Sequence, residues 1–529
     1  MAASDQLGGS DRLDRMLDVR SLRADLRERS IRGGMISVIA QAAKLTLHLG
    51  TMAVLARLLT PSDFGLLAMV TAVTWMLLLF KDTGLSTATV QAAELDERQV
   101  NMLFWINVAL SAALAGIGAG LASPMAQLFD EPRVTVLMLA LSAGLVLTGL
   151  GSQHQALLRR AMRFRALAWI DLASVVTGGA AGIVTALLGG GVWALVTLEL
   201  SRGLSATALA WITAGWTPGL PARCNVWGLI RVGGGLTGTN VMSSIAWQSG
   251  LVLMSTSWGA ATLGLYTRAH ALLTLPQRQL VGPLSGVAIP MMSRLMGEPD
   301  RYQRAAKATL TMVGVISAGI AAWMIVGRDW IVAVMLGPQW TETAAIFGLL
   351  GFGAFAQPVF NVCGWMLVSQ GRVRDLLHLN AVDGVLKVVA VIIGLPWGPL
   401  GVAAAISLRY AIELPVMLWF AGRTGPVTLA ALRRMVRMPL LAFGGMLIVL
   451  QTLRLATGVE SIIGGLALTG AAAGVCMGAL IAAGTDTRRA AAQAMRLLAA
   501  RTRRPKHRTS MMTADRTTHA ARRALQNVA

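Results

Sequence analysis

The sequence predicts an all-α integral membrane protein of about fourteen transmembrane helices, arranged as two pseudo-symmetric six-helix lobes plus two extra C-terminal helices. Three observations carry that expectation. Of 529 residues, 55% are hydrophobic and only 13% charged, with a mean hydropathy of +0.62, a balance outside the range of soluble globular chains. Apolar runs of helix length recur along the chain, each able to cross a hydrocarbon layer that needs about twenty helical residues. Sliding the chain by 199 residues also brings its opening stretch onto a partner, with Arg32 on Arg231, Gly34 on Gly233, Gln41 on Asn240, Gly65-Leu66 on Gly264-Leu265 and Leu85-Ser86 on Leu284-Ser285. All these matches share one register. The repeat unit spans six helices, an even number, so the halves share one orientation about an axis along the membrane normal.

The chain begins with a polar tail over 1–31, which lacks the apolar core of a cleavable signal peptide. The first lobe covers 32–215, with spans near 34–58, 64–81, 102–123, 134–152, 167–188 and 191–213. The second covers 216–422, with spans near 233–256, 264–290, 308–327, 343–368, 379–395 and 399–421. Pro276 and Pro283 predict a kink in the span that starts near Gly264, and Arg278 between them calls for protein or water rather than lipid. The two extra helices, near 438–455 and 460–483, lie within 423–484. A basic tail over 485–529 touches anionic lipid on the plainest reading. The loops are short, and none before that tail could fold as a domain.

Charge sets the orientation. The 46 Lys+Arg outnumber the 25 Asp+Glu, which in a soluble protein would suggest nucleic acid. Here the excess sits in alternate loops, at Arg159, Arg160, Arg163 and Arg165, at Arg294, Arg301, Arg304 and Lys307, and at Arg423, Arg433, Arg434 and Arg437. The opposite loops carry only Arg57, Arg133, Arg328 and Arg454. The positive-inside rule makes the first set and both termini cytoplasmic, with no nucleic acid as partner. Cys224, Cys363 and Cys476 are far apart and suggest neither a disulfide framework nor a metal cluster. No P-loop or zinc pattern is present, and no cofactor is expected.

Polar residues inside the spans mark candidate ligand contacts. On the first helix Ser37, Gln41, Lys44, His48 and Thr51 share one face. Lys44 lies about 18 Å along the helix from Arg32, near mid-membrane, where exposure to lipid costs about 3 kcal/mol. The matching helix of the second half carries Thr237, Asn240, Ser244 and Gln248. Two readings fit these faces: a wet central cleft, or hydrogen-bonding glue within a dry bundle. Lys44 favours the cleft. Gln357 and Asn361 share a face of the tenth helix. Glu199/Arg202, Asp383/Lys387 and Arg409/Glu413 stand at helical spacing and could each be a self-neutralising pair. Arg268 has no local partner; it either joins the cleft or snorkels to the outer interface. Asp171 suits a helix N-terminus. If Lys44, Arg268 and Lys387 meet, the cavity is cationic and suits an anion such as a diphosphate.

The run Leu55-Ala56-Arg57-Leu58-Leu59-Thr60-Pro61-Ser62-Asp63-Phe64-Gly65 resembles the first loop of the Wzx-type polysaccharide flippases, in the superfamily that also holds the MATE exporters and the lipid II flippase. Asp82-Thr83-Gly84-Leu85-Ser86, Leu103-Phe104-Trp105-Ile106-Asn107, Arg160-Ala161-Met162-Arg163-Phe164 and Leu263-Gly264-Leu265-Tyr266-Thr267-Arg268-Ala269 are similar to later landmarks of that family. The resemblance covers essentially all spans. It implies twelve helices in two lobes plus two more, and a non-enzymatic transporter working by alternating access in the bacterial inner membrane. Its cargo would be undecaprenyl-diphosphate-linked oligosaccharide, moved for exopolysaccharide, O-antigen or capsule synthesis. Polysaccharide polymerase or assembly proteins would be further partners besides membrane lipid.

On that expectation Lys44 and Lys387 hold the diphosphate, and Gln41, Asn240 and Gln248 contact sugars. The wider candidate path adds His48, Arg268, Gln357, Asn361, Asp383 and Arg409. Lys44→Ala should then abolish export, and Asp383 is the candidate for ion coupling. Two alternatives stand: a MATE-like exporter of small molecules, which predicts an acidic, aromatic-rich cavity, and a non-catalytic membrane component of a polysaccharide assembly complex. A membrane glycosyltransferase would need a larger loop or domain than this chain offers.

Overall fold

A computed structural model describes the backbone of residues 26–81, 86, 89–90, 92, 95–221, 238–459 and 461–483, and the side chains of these from residue 41 on, save 80, 238–243, 278, 280 and 283. Residues 1–25, the C-terminal tail, Cys224, the 231–237 segment and the side chains of Ser37, Asn240 and Arg278 lie outside that set, while the end of the expected N-terminal tail, from Leu26, already belongs to the first helix. All regular structure among the described residues is helical. The helices are α1 (Leu26–Leu58), α2 (Pro61–Lys81), α3 (Glu97–Leu128), α4 (Arg133–Arg160), α5 (Phe164–Leu187), α6 (Trp193–Ala214), α7 (Gly238–Arg294), α8 (Pro299–Val326), the short α9 (Arg328–Met335), α10 (Thr341–Ser369), α11 (Val373–Gly394), α12 (Gly398–Gly422), α13 (Leu429–Thr457) and α14 (Ile462–Ala483). Nine helical stretches among the described residues are long and apolar enough to cross a membrane, with Val373–Gly422 taken as one.

The punctuation is physical. Thr60 and Asp63 bond across the α1–α2 turn, where the Asp63 carboxylate accepts from the Thr60 amide at 2.9 Å and its hydroxyl at 2.8 Å. Pro61 opens α2, where its missing N–H removes nothing from the helix. α6 ends at Gly215 and α13 at Gly458, both in the left-handed region that glycine enters without steric cost. α7 is two helices joined at Gly259, whose φ of 73° and ψ of 178° no side-chain-bearing residue adopts easily. The backbone stays helical through Pro276 and Pro283, and the residue that leaves helical geometry within α7 is Gly259. Neighbouring helices can re-satisfy the backbone groups that a proline frees.

α1 packs on α5, α3 on α4, α4 on α6 and α5 on α6, while α7 packs on α10 and α11, α8 on α10 and α13, and α11 on α12. The main bridge between these groups is the crossing of α2 and α7. There a Cβ at Gly65 would lie 1.6 Å from the Ala260 carbonyl oxygen, and one at Gly264 would lie 1.9 Å from the Pro61 carbonyl oxygen. Only bare backbone fits, as at other close helix crossings in membranes. A shift of 199 residues takes Pro61 to Ala260 and Gly65 to Gly264, so the two contacts exchange. That reciprocity is what a two-fold relation between the halves requires.

The same end of the molecule is sealed by the segment around Pro338–Trp340. Gln339 Nε2 donates to the Leu59 carbonyl at 2.8 Å, and Trp340 Nε1 to the Ala56 carbonyl at 2.8 Å. These carbonyls are among those a helix C-terminus leaves unpaired. Trp340 is fully buried and meets Phe64 edge-on at 5.4 Å.

Candidate functional site

Two adjoining cavities lie among the helices. The larger, about 550 Å3, is lined by α2, α7, α10, α11 and α12. The smaller, about 340 Å3, is lined by α1, α2, α5, α6 and α7. Trp247, Arg268, His270 and Thr274 border both. All four lie on α7, so the helix broken at Gly259 forms the wall where the cavities meet.

Arg268 is half-buried with its guanidinium carbon 4.7 Å from the centre of the Phe64 ring. Its Nε is buried without a hydrogen-bond partner, and it makes no ion pair among the described residues. A guanidinium over an aromatic face keeps some stabilisation without a carboxylate. Arg268 thus joins the cavity instead of snorkelling outward.

Lys387 and Arg409 border the larger cavity, but both are engaged. Lys387 Nζ lies 2.6 Å from Asp383 Oδ2, Arg409 donates to Asp383 Oδ1, and Arg409 Nη1 lies 3.0 Å from Glu413 Oε2. The two expected pairs are therefore one network that ties α11 to α12, with two cations and two carboxylates. Arg409 is 2% exposed, stacks 4.3 Å over the Tyr410 ring, and keeps Nε and Nη2 without partners. The Tyr410 hydroxyl donates to Gln357 Oε1 at 3.0 Å. Gln248, buried, also borders this cavity.

The other candidates are dispersed. Lys44 lines neither cavity; its Nζ lies 3.1 Å from Asp171 Oδ2. Asp171 stands well inside α5, so it neutralises a neighbouring helix's lysine instead of capping its own. Gln41 is exposed, and Asn361 is half-buried away from both cavities. Asn240 is helical in backbone, its side chain outside the described set. His48 and Thr51 border the smaller cavity. The sequence reading missed Trp247 and His270, whose rings stack at 3.9 Å. They sit on opposite sides of the Gly259 break, and no linear period reports that contact.

A model of the family described as "Polysaccharide biosynthesis protein" matches residues 54–345, more than half of the chain. The chain belongs to that family. It is 25% identical over 343 residues to the succinoglycan biosynthesis transport protein ExoT of Rhizobium meliloti, covering 64% of this chain and 69% of the relative. It is 23% identical to the lipopolysaccharide biosynthesis protein WzxC of Escherichia coli, covering 73% and 79%. Among solved structures, the lipid II flippase MurJ in an inward closed conformation aligns with a TM-score of 0.69 at 14% identity, over 84% of this chain and 98% of that one. An inward-facing MATE family transporter aligns with a TM-score of 0.57 at 15% identity, over 76% and 98%. Family, fold and apolar helices together make this a multi-pass membrane protein.

Proposed function

We propose that the chain moves a polyprenyl-diphosphate-linked saccharide between membrane leaflets, with the diphosphate held at Arg268. One observation carries the reading. Among the described residues, Arg268 is a cation without a carboxylate partner at the junction of two cavities, on a helix that packs against both groups of helices. A guanidinium presents donors in a fork that matches phosphate oxygens. Gln248, Gln357, Lys387 and Arg409 form the polar wall of the larger cavity beside it, and Asp383 holds the two cations in place. A MATE-like organic-cation exporter would place an unpaired carboxylate where Arg268 stands. The names of ExoT, a succinoglycan biosynthesis transport protein, and WzxC, a lipopolysaccharide biosynthesis protein, agree with this cargo.

Counting α7 as two spans, α11 and α12 as two, and adding α1, with α9 too short to cross, supports fourteen spans. The exchanged Gly65 and Gly264 contacts support two six-helix lobes, 32–215 and 216–422, before the α13–α14 pair. The arginine-rich loops lie at the end opposite the Gln339 and Trp340 seal, which supports an inner-membrane orientation with both termini cytoplasmic. The lobes rock about the α2–α7 crossing to expose the cavities to each side in turn. No bond is made or broken. Asp383 remains the candidate for ion coupling, and polymerase or assembly proteins are the expected protein partners.

The test is polysaccharide export in a deletion strain carrying Arg268→Ala. Export should fall about thirtyfold, the cost of a lost charge-assisted contact of about 2 kcal/mol, with the protein still in the membrane and lipid-linked saccharide accumulating on the cytoplasmic face. Undiminished export would remove Arg268 from the site.

A further inference from the structure

Glu199 and Arg202 lie three apart on α6, and both border the smaller cavity. Such spacing favours an ion pair, yet the two do not bridge. Among the described residues neither side chain makes a hydrogen bond or an ion pair. Glu199 is exposed and Arg202 half-buried. The walls that hold them are close-packed. A Cβ at Gly178 would lie 2.8 Å from Arg202 Cβ, and one at Gly179 would lie 2.8 Å from Thr51 Oγ1, so α5 holds α6 on one side and α1 on the other.

Arg268 at the junction is taken up by the diphosphate, so Glu199 and Arg202 decide what the rest of this cavity can take. An anion placed there meets the Glu199 carboxylate, and a cation meets the Arg202 guanidinium. A neutral, hydroxyl-rich ring meets neither penalty. The carboxylate accepts from hydroxyls, the guanidinium donates to oxygens, and the Trp247 indole, on α7 but bordering the same cavity, offers an apolar surface for C–H groups. The larger cavity differs, because apart from Arg268 at the junction its cations, Lys387 and Arg409, are already bonded to Asp383 and Glu413. We infer that the smaller cavity is a saccharide subsite, in which Glu199 and Arg202 bind the neutral sugar next to the diphosphate. The inference rests on the diphosphate reading above, since Arg268 at the junction is what delivers the first sugar to this cavity.

The test uses the purified full-length protein and three probes, undecaprenyl diphosphate and the same lipid carrying a single glucose or a single galactose, with binding followed by native mass spectrometry. The wild type should bind a glycosylated lipid at least about tenfold tighter than the bare one, the increment of one or two hydrogen bonds to charged groups. Glu199→Ala and Arg202→Ala should each reduce that ratio towards one while leaving affinity for bare undecaprenyl diphosphate unchanged. Glu199→Gln, which keeps an acceptor oxygen, should retain part of the ratio. Equal affinity of the wild type for all three lipids, or a ratio unchanged in both alanine variants, overturns the subsite. Arg268→Ala separates the two readings: it should weaken the bare lipid, and if it does not, the diphosphate assignment fails whatever Glu199 does. A monodisperse elution profile of each variant establishes that it is folded.

Discussion

At the scale of single residues, the chemistry depends on which cations already have a carboxylate. Lys44, costly in lipid, finds Asp171 on the adjacent helix α5. The pair lines neither cavity, and its side chains are only partly buried, at 30% and 60% exposure. Lys44→Ala should therefore lower the melting temperature little and leave export close to the wild-type level, opposite to the loss expected from the sequence. Asp383 is different. It accepts from both Lys387 and the nearly inaccessible Arg409. Asp383→Asn leaves two cations facing one carboxylate, and breaking a buried pair in this way costs about 3–5 kcal/mol. The variant should unfold at clearly lower temperature in detergent, as read by intrinsic tryptophan fluorescence. An unchanged melting temperature would mean the network carries no structural weight.

At the scale of helices, two glycines decide how closely α2 and α7 cross. The gaps at Gly65 and Gly264 are closed by backbone carbonyls, which cannot rotate away as a flexible side chain could. Gly65→Ala and Gly264→Ala should each separate the helices, lower the melting temperature and reduce export. Gly116 on α3 is the contrast, since nothing lies within 4 Å of its added Cβ. Gly116→Ala should be neutral or gain up to about 1 kcal/mol from helix propensity. The seal at the same end depends on donors from one half meeting α1 carbonyls of the other. The double variant Gln339→Ala, Trp340→Phe leaves those carbonyls unpaired, so the open state of that end should gain population. In a background without the native cysteines, a cysteine at Thr71, which borders the larger cavity, should then react faster with a membrane-impermeant maleimide added outside. No acceleration would show that the seal rests on the α2–α7 crossing alone.

At the scale of the whole molecule, helix existence and order were legible in one dimension, because hydrophobic length and turn chemistry are local properties. The run ending at Thr60-Pro61 and the return stroke to Lys81 end with α1 and α2, and the later apolar runs overlie observed helices to within about two residues, apart from 233–237 and 460, which lie outside the described residues. Two marker glycines of the expected repeat, Gly65 and Gly264, each approach the other's helix. The site was less legible. Periodicity placed Lys44, Asp383 and Arg409 on helix faces, but charge neutralisation works through space. A lysine's partner on α5 and an arginine's on α11 are as near as its own helical neighbours and leave no trace at spacing four. Helix content, the apolar runs long enough to cross a membrane and the loop charges thus follow from the chain alone. The meeting of Arg268 with both cavities, the joining of two ion pairs into one network and the separation of Glu199 from Arg202 arise only when helices pack, because each depends on distances between segments that the linear order does not constrain.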